Sequence, residues 1–202
     1  MSASRTQATR TGDFDFTQHM RRLCKDMCAR TPELSHIDLS RVAIGYRQAR
    51  KSVAYGLQAT LTPMRFEGGG SVSVRDGGKW TIQRLYDGSG REMLYLLNFY
   101  LPRFLNHSFR EKLTTVVHEL WHISPNFDGD LRRHPGRCYA HSHSQKEYDA
   151  WAEQLALRWL SLDPEPRLYE FLKLSFKQLA RRHGAVVGMK IPAPKLLPTP
   201  AA

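Results

Sequence analysis

The chain has 202 residues and 30 Lys and Arg against 19 Asp and Glu, a formal charge of +11 before histidine is counted. The length suits one domain, and a composition 41% hydrophobic, 10% aromatic and 24% charged excludes collagen, coiled-coil, mucin-like and disordered classes. The longest apolar run, Met93 to Leu101, is broken by Asn98 and has about half of the twenty residues that a bilayer span needs.

The opening MSASRTQATRTG has no apolar segment of secretory type, and three cysteines argue against a disulfide framework and for a reducing compartment. The expected location is cytoplasmic rather than secreted. By segment, residues 1–107 carry +7, 108–163 carry −1 and 164–202 carry +5. The basic character therefore lies in the two flanks.

Residues 1–12 read as a polar tail. Phe16 to Ala29 reads as a helix, with Met20, Leu23, Cys24 and Met27 at helical spacing. Cys24 and Cys28 lie four apart, but with no second pair they read as packing residues rather than ligands. From Arg41 the period changes to two. Val42, Ile44 and Tyr46, then Tyr55, Leu57, Ala59 and Leu61 up to Pro63, are strand signals. Trp80 to Tyr86 and Met93 to Tyr100 are further strands, with turns at Gly68-Gly69-Gly70, Gly77-Gly78 and Gly88-Ser89-Gly90.

Ser108-Phe-Arg-Glu111 fits a capping box, and Leu113, Val116, Val117 and Leu120 then mark the buried stripe of a helix running to about Ile123. An irregular stretch, Ser124 to Ser144, precedes a second amphipathic helix carrying Tyr148, Trp151, Leu155 and Trp159. A third, entered through Pro164 and Pro166, carries Leu168, Phe171, Leu172 and Leu179 and ends at Gly184. The prediction is an α+β domain over 13–184: an N-terminal helix, an antiparallel-rich sheet of three to four strands, the capped helix and two C-terminal helices. Residues 185–202 read as a proline-containing basic tail.

The capped helix contains His118-Glu119-Leu120-Trp121-His122, an H-E-x-x-H pattern. At about 100° per residue the two imidazoles lie within roughly 40° of each other on one face and can share one ion. That face points away from the apolar stripe. Zn2+ suits imidazole ligands, and Glu119 is placed to act as general base towards a metal-activated water, which implies amide hydrolysis. With nine His and nine Glu in the chain, the pattern is expected by chance about 0.02 times.

A third ligand is sought downstream. His141 and His143 alternate, so an extended segment turns only one of them to the metal. His141 is the first choice and His143 the alternative; Glu147, Asp149 and Glu153 are carboxylate candidates, and His134 reads as a loop residue. Tyr139, Tyr148 or Arg137 can polarise a scissile carbonyl, and each is equally a packing or surface residue. Asp128, Asp130 or Asp149 can orient ligand imidazoles, though Asp128-Gly-Asp130 is also a turn sequence. Cys138 reads as a structural cysteine.

The segment LTTVVHELWHISPNFDGDLRRHPGRCYAHSHSQKEYDA, residues 113–150, resembles the phage and prophage metallopeptidase family and, more distantly, the SprT-like group that includes Spartan-type proteases. The resemblance covers about 40 residues strongly and the upstream part only in architecture. It implies a zincin-like fold and a peptidase acting in a bacterial or phage-infected cell. In SprT-like proteins a third histidine sits in an H-G-type loop, which His141-Ser142 matches with serine in place of glycine and a longer spacing from His122.

In such a site a sheet edge between residues 41 and 100 can hold peptide as an added strand. A competing reading is a nucleic-acid-associated protein with a structural or vestigial motif, using Arg21, Arg22, Arg181, Arg182, Lys190 and Lys195 as phosphate contacts. A protease localised on DNA combines both.

Overall fold

The computed structural model describes residues 5–6, 12–49, 55–133 and 145–199. In chain order the elements are β1 (Arg5–Thr6), β2 (Phe14–Asp15), α1 (Phe16–Arg30), β3 (Val42–Gln48), β4 (Ala59–Pro63), β5 (Ser73–Arg75), β6 (Gly78–Ile82), β7 (Tyr95–Leu101), α2 (Phe109–Trp121), α3 (Gln145–Ser161), α4 (Phe176–His183), β8 (Val186–Val187), β9 (Met189–Lys190) and β10 (Leu196–Pro198). The mixture of helices and several small sheets is α+β, as its sequence predicts.

The central sheet has the order β3-β7-β4. β7 is buried along nearly its whole length, as a strand covered on both faces must be. It runs parallel to β3, from Val42↔Tyr95 to Gln48↔Leu101, and antiparallel to β4, from Ala59↔Phe99 to Pro63↔Tyr95. The sheet is therefore mixed rather than antiparallel-rich. A parallel neighbour needs a long crossover, and residues 49–94, which include β4 and the β5–β6 hairpin, supply it. β4 starts four residues later than the alternation suggests, because Tyr55 and Leu57 are 76% and 58% exposed and pair with nothing in β7. The third expected strand ends at Ile82, short of Tyr86.

Both helix stripes read from the sequence are core. Met20, Leu23, Cys24 and Met27 of α1 and Leu113, Val116, Val117 and Leu120 of α2 pack with Val42, Ile44, Tyr95, Leu97 and Phe99 on one face of the sheet. The opposite face, at Ala43 and Leu96, is covered by Ile191 and Met189. The approach is close: a Cβ on Gly45 would lie 2.9 Å from Asn98 Oδ1 and 3.0 Å from the Met189 carbonyl oxygen.

The segment beyond residue 184 is thus not a loose tail. β8 pairs parallel with β2, β9 antiparallel with β1, and β10 antiparallel with β6. Val187 and Ile191 are buried, and their apolar surface explains why the segment packs. Arg5–Thr6, read as part of an N-terminal tail, supplies β1 of the first of these pairs.

The third predicted helix is broken. Two 3-10 turns, Pro166–Leu168 and Glu170–Lys173, come first. Leu174 is extended, and α4 then starts at a second capping box, Ser175 with Gln178, and stops at Gly184 with φ 83°. Ser-x-x-Gln restarts the helix where one continuous helix was expected. Among the described residues no helix is long and apolar enough to cross a membrane.

Candidate metal and catalytic site

The phase of α2 is set at its first turn. Ser108 Oγ accepts the Glu111 N–H at 3.3 Å, and Glu111 Oε2 accepts the Ser108 N–H at 2.9 Å. With Leu113, Val116, Val117 and Leu120 committed to the core, His118 and His122 must turn to the other side. They do not look into open water, because α3 covers them: His122 is 9% exposed and the His118 side chain 16%. His122 is the C-cap residue, so α2 ends within the motif rather than at Ile123.

The two Nε2 atoms face each other at 3.1 Å. Each ring is held from behind by one of two consecutive α3 residues. Asp149 Oδ1 lies 2.9 Å from His118 Nδ1, and the Tyr148 hydroxyl lies 3.2 Å from His122 Nδ1. A carboxylate only accepts, so His118 carries its proton on Nδ1 and turns an Nε2 lone pair inward. Burial pushes the Tyr148 phenol up, against a smaller lowering by Arg132, so Tyr148 stays protonated.

His122 then has two tautomers with different consequences. If Tyr148 donates to Nδ1, His122 donates through Nε2 to His118, and a closed chain runs from Tyr148 to Asp149. If His122 Nδ1–H donates to Tyr148, two lone pairs meet, and either a proton or a metal cation between them removes the repulsion. The spacing fits such a cation. Two nitrogens at 2.0–2.1 Å from a tetrahedral zinc stand about 3.3 Å apart.

Glu119 is 8% exposed. Burial pushes its carboxyl up from 4.5 to about 7, while a hydrogen bond from the Leu61 backbone N–H pulls it down. At the two ends of β4, Gln58 accepts the Tyr100 N–H and Met64 donates to the Leu94 carbonyl. Backbone groups of even-numbered residues therefore face β7, and those of Ala59 and Leu61 face the open edge. A second tie, Thr115 Oγ1 to Gln58 Oε1 at 3.0 Å, holds this edge along α2. Between the edge, α2 and α3 lies a cleft of about 800 Å³ lined by Leu57, Ala59, Thr115, His118, Glu119 and Asp149 among others. Another hollow of about 580 Å³, at Arg47, Tyr100 and Arg103, contains none of the motif residues.

No protein-family model, curated protein or solved structure matches this chain. The functional reading rests on the site itself.

Among the described residues no group of three or more His, Cys, Asp or Glu could hold a metal ion. His141, His143, Tyr139, His134, Arg137 and Cys138 lie outside the described residues. Of the carboxylate candidates, Asp149 engages the Nδ1 side of His118, Glu153 pairs with Arg110, and Glu147 is exposed.

Asp128 and Asp130 build a loop instead of orienting a histidine. Asp128 Oδ1 accepts the Asp130 N–H, and buried Asp130 accepts from Gly68, Leu131 and Arg133. Cys24 and Cys28 are buried in the core, and desolvation raises both thiols, Cys24 to about 12; neither offers a thiolate ligand.

Of the basic candidates, Arg21 is spent on the carbonyls of Leu39 and Val42, and Arg22 donates to Gln18. Arg181, Arg182, Lys190 and Lys195 are exposed. The ties from Leu61 and Gln58 to α2 were not read from the sequence. The available signal was Pro63, which ends the alternation as an edge strand tolerates and a central strand does not.

Proposed function

We propose that the chain is a zinc-dependent metallopeptidase of zincin-like fold, akin to the SprT-like proteases, that hydrolyses peptide bonds in the cleft between β4 and α3. The observation that carries this reading is the facing Nε2 pair, 3.1 Å apart, with Asp149 and Tyr148 behind the rings. His118 and His122 would hold the ion, with His141, or alternatively His143, as third ligand. When bound, zinc lowers the pKa of a coordinated water towards about 7 and polarises a carbonyl.

The remaining work falls to the protein. Asp149 keeps the His118 lone pair inward, as partners of metal-bound imidazoles do. Glu119, its carboxyl raised by burial, accepts a proton from the attacking water near neutral pH and returns it to the leaving amine. The outward backbone groups of Ala59 and the outward carbonyl of Leu61, whose N–H is taken by Glu119, offer an extended peptide strand hydrogen bonds at the β4 edge.

Elemental analysis and a peptide-hydrolysis assay on wild type and two variants test the proposal. About one zinc per chain is expected, lost in His118→Ala and retained in an inactive Glu119→Gln protein. Wild type purified from zinc-supplemented medium that contains no zinc and melts normally overturns the proposal.

A further inference from the structure

We infer that an apolar recess between α2 and α3 is a side-chain pocket that selects substrate peptides by one bulky apolar residue, such as Leu, Met or Phe; this rests on the peptidase reading of the adjoining cleft. The recess measures about 210 Å³, with Leu113 and Ala156 as its buried floor and Phe109, Leu157 and Leu160 as its sides. Its α3 wall is the stripe Glu153, Ala156, Leu157, Leu160, spaced i, i+3, i+4, i+7 on one helix face.

Two residues, Thr114 and Glu153, line both the recess and the catalytic cleft. Thr114 lies one turn before His118, about 6 Å along the helix axis. An extended peptide covers that distance in about two residues, so the pocket reads a residue within about two positions of the bond cleaved.

Size and charge define the occupant. The recess is smaller than the ~300–1,000 Å³ that holds a drug-sized molecule, which suits one side chain of a longer ligand. Among the described residues the only charges on its lining, Arg110 and Glu153, are paired with each other, so a basic or acidic side chain meets no bare counter-charge from them.

The test is methyl NMR of the full chain titrated with N-acetyl-Gly-Leu-Gly-amide, and with the same peptide carrying Ala or Lys at the centre. Cleavage of a peptide library is read in parallel. The Leu peptide is expected to shift the Leu113, Leu157 and Leu160 methyls and to bind at least about tenfold more tightly than the Ala or Lys peptide.

Leu157→Arg, at a 40% exposed position, should retain the wild-type melting curve and lose the shifts. Confined shifts without hydrolysis support the pocket while the peptidase reading fails. Hydrolysis indifferent to the residues flanking the cleaved bond, with no methyl shifts, overturns the pocket while the peptidase reading stands. Shifts that persist in Leu157→Arg overturn the pocket as well.

Discussion

The Nε2 atoms of His118 and His122 stand 3.1 Å apart because their Nδ1 atoms are anchored by adjacent residues of a different helix, Asp149 and Tyr148. The pairing needs two levels of structure. One turn of α2 brings the rings to one side, and the packing of α3 sets which nitrogen of each ring points inward.

Removing an anchor should loosen the ligand without deleting it. Asp149→Ala is expected to lower zinc affinity about 10–100-fold, the usual cost of losing such a partner, with Asp149→Asn at the lower end because it keeps an acceptor. Competition with a chromophoric chelator measures both. Equal affinity for wild type and Asp149→Ala would show that the carboxylate does not orient His118.

The motif helix was legible in the sequence because its signals are local: a cap, a stripe and two histidines one turn apart all lie within fifteen residues. Asp149 was one of three aspartates with equal claims. Sequence distance could not separate it from Asp128 and Asp130, which the loop consumes in its own hydrogen bonds. The closing strands after Gly184 were hidden for a related reason. Two-residue strands such as Val186–Val187 carry too little periodicity to register, and what holds them is pairing with strands more than 80 residues away. The mixed sheet was equally non-local, since the alternation of β3 is the same whether its neighbour runs parallel or antiparallel.

The capping box of α2 holds the start of the helix that carries both histidines. Ser108→Ala should cost about 1 kcal/mol, or roughly 2–4 °C in Tm for a chain of this size. Hydrogen bonds from Ser108 hold the Glu111 carboxyl below its ordinary value of 4.5. Its contribution is therefore present above that value and is lost as pH falls through the lowered folded-state value. The gap between wild type and Ser108→Ala should narrow in acid. Thermal melts at pH 7 and pH 3.5 check this, and a gap that widens at low pH would contradict the role of Glu111.

Lys112 is buried and donates to the carbonyls of Leu105, at 2.7 Å, and Leu174, at 2.9 Å. Burial lowers its ammonium from 10.5 to about 8. Between those values the unfolded chain binds more protons than the folded one, so this residue makes stability rise with pH across the window. A Lys112→Met variant lacks that rise and leaves two carbonyls without their donor. Its deficit relative to wild type should grow from pH 8 to pH 10.5 in urea titrations; a constant deficit would show that the folded-state lysine is not shifted.

The flank charge makes a separate, quantitative prediction for DNA association. Arg181 and Arg182 sit exposed in the last turn of α4, and Lys190 is exposed on β9 with its Nζ 5.6 Å over the Tyr46 ring. None of the three has an acidic partner among the described residues. Each phosphate contact adds about −0.9 to the slope of log affinity against log salt. If the two arginines are contacts, replacing both with alanine should flatten the slope by about 2 on any duplex sequence, since phosphate contacts carry no sequence information. Fluorescence anisotropy between 50 and 200 mM salt measures this. An unchanged slope assigns the binding to other residues, and no binding at 50 mM removes nucleic acid as a partner, leaving +11 as a property of the surface alone.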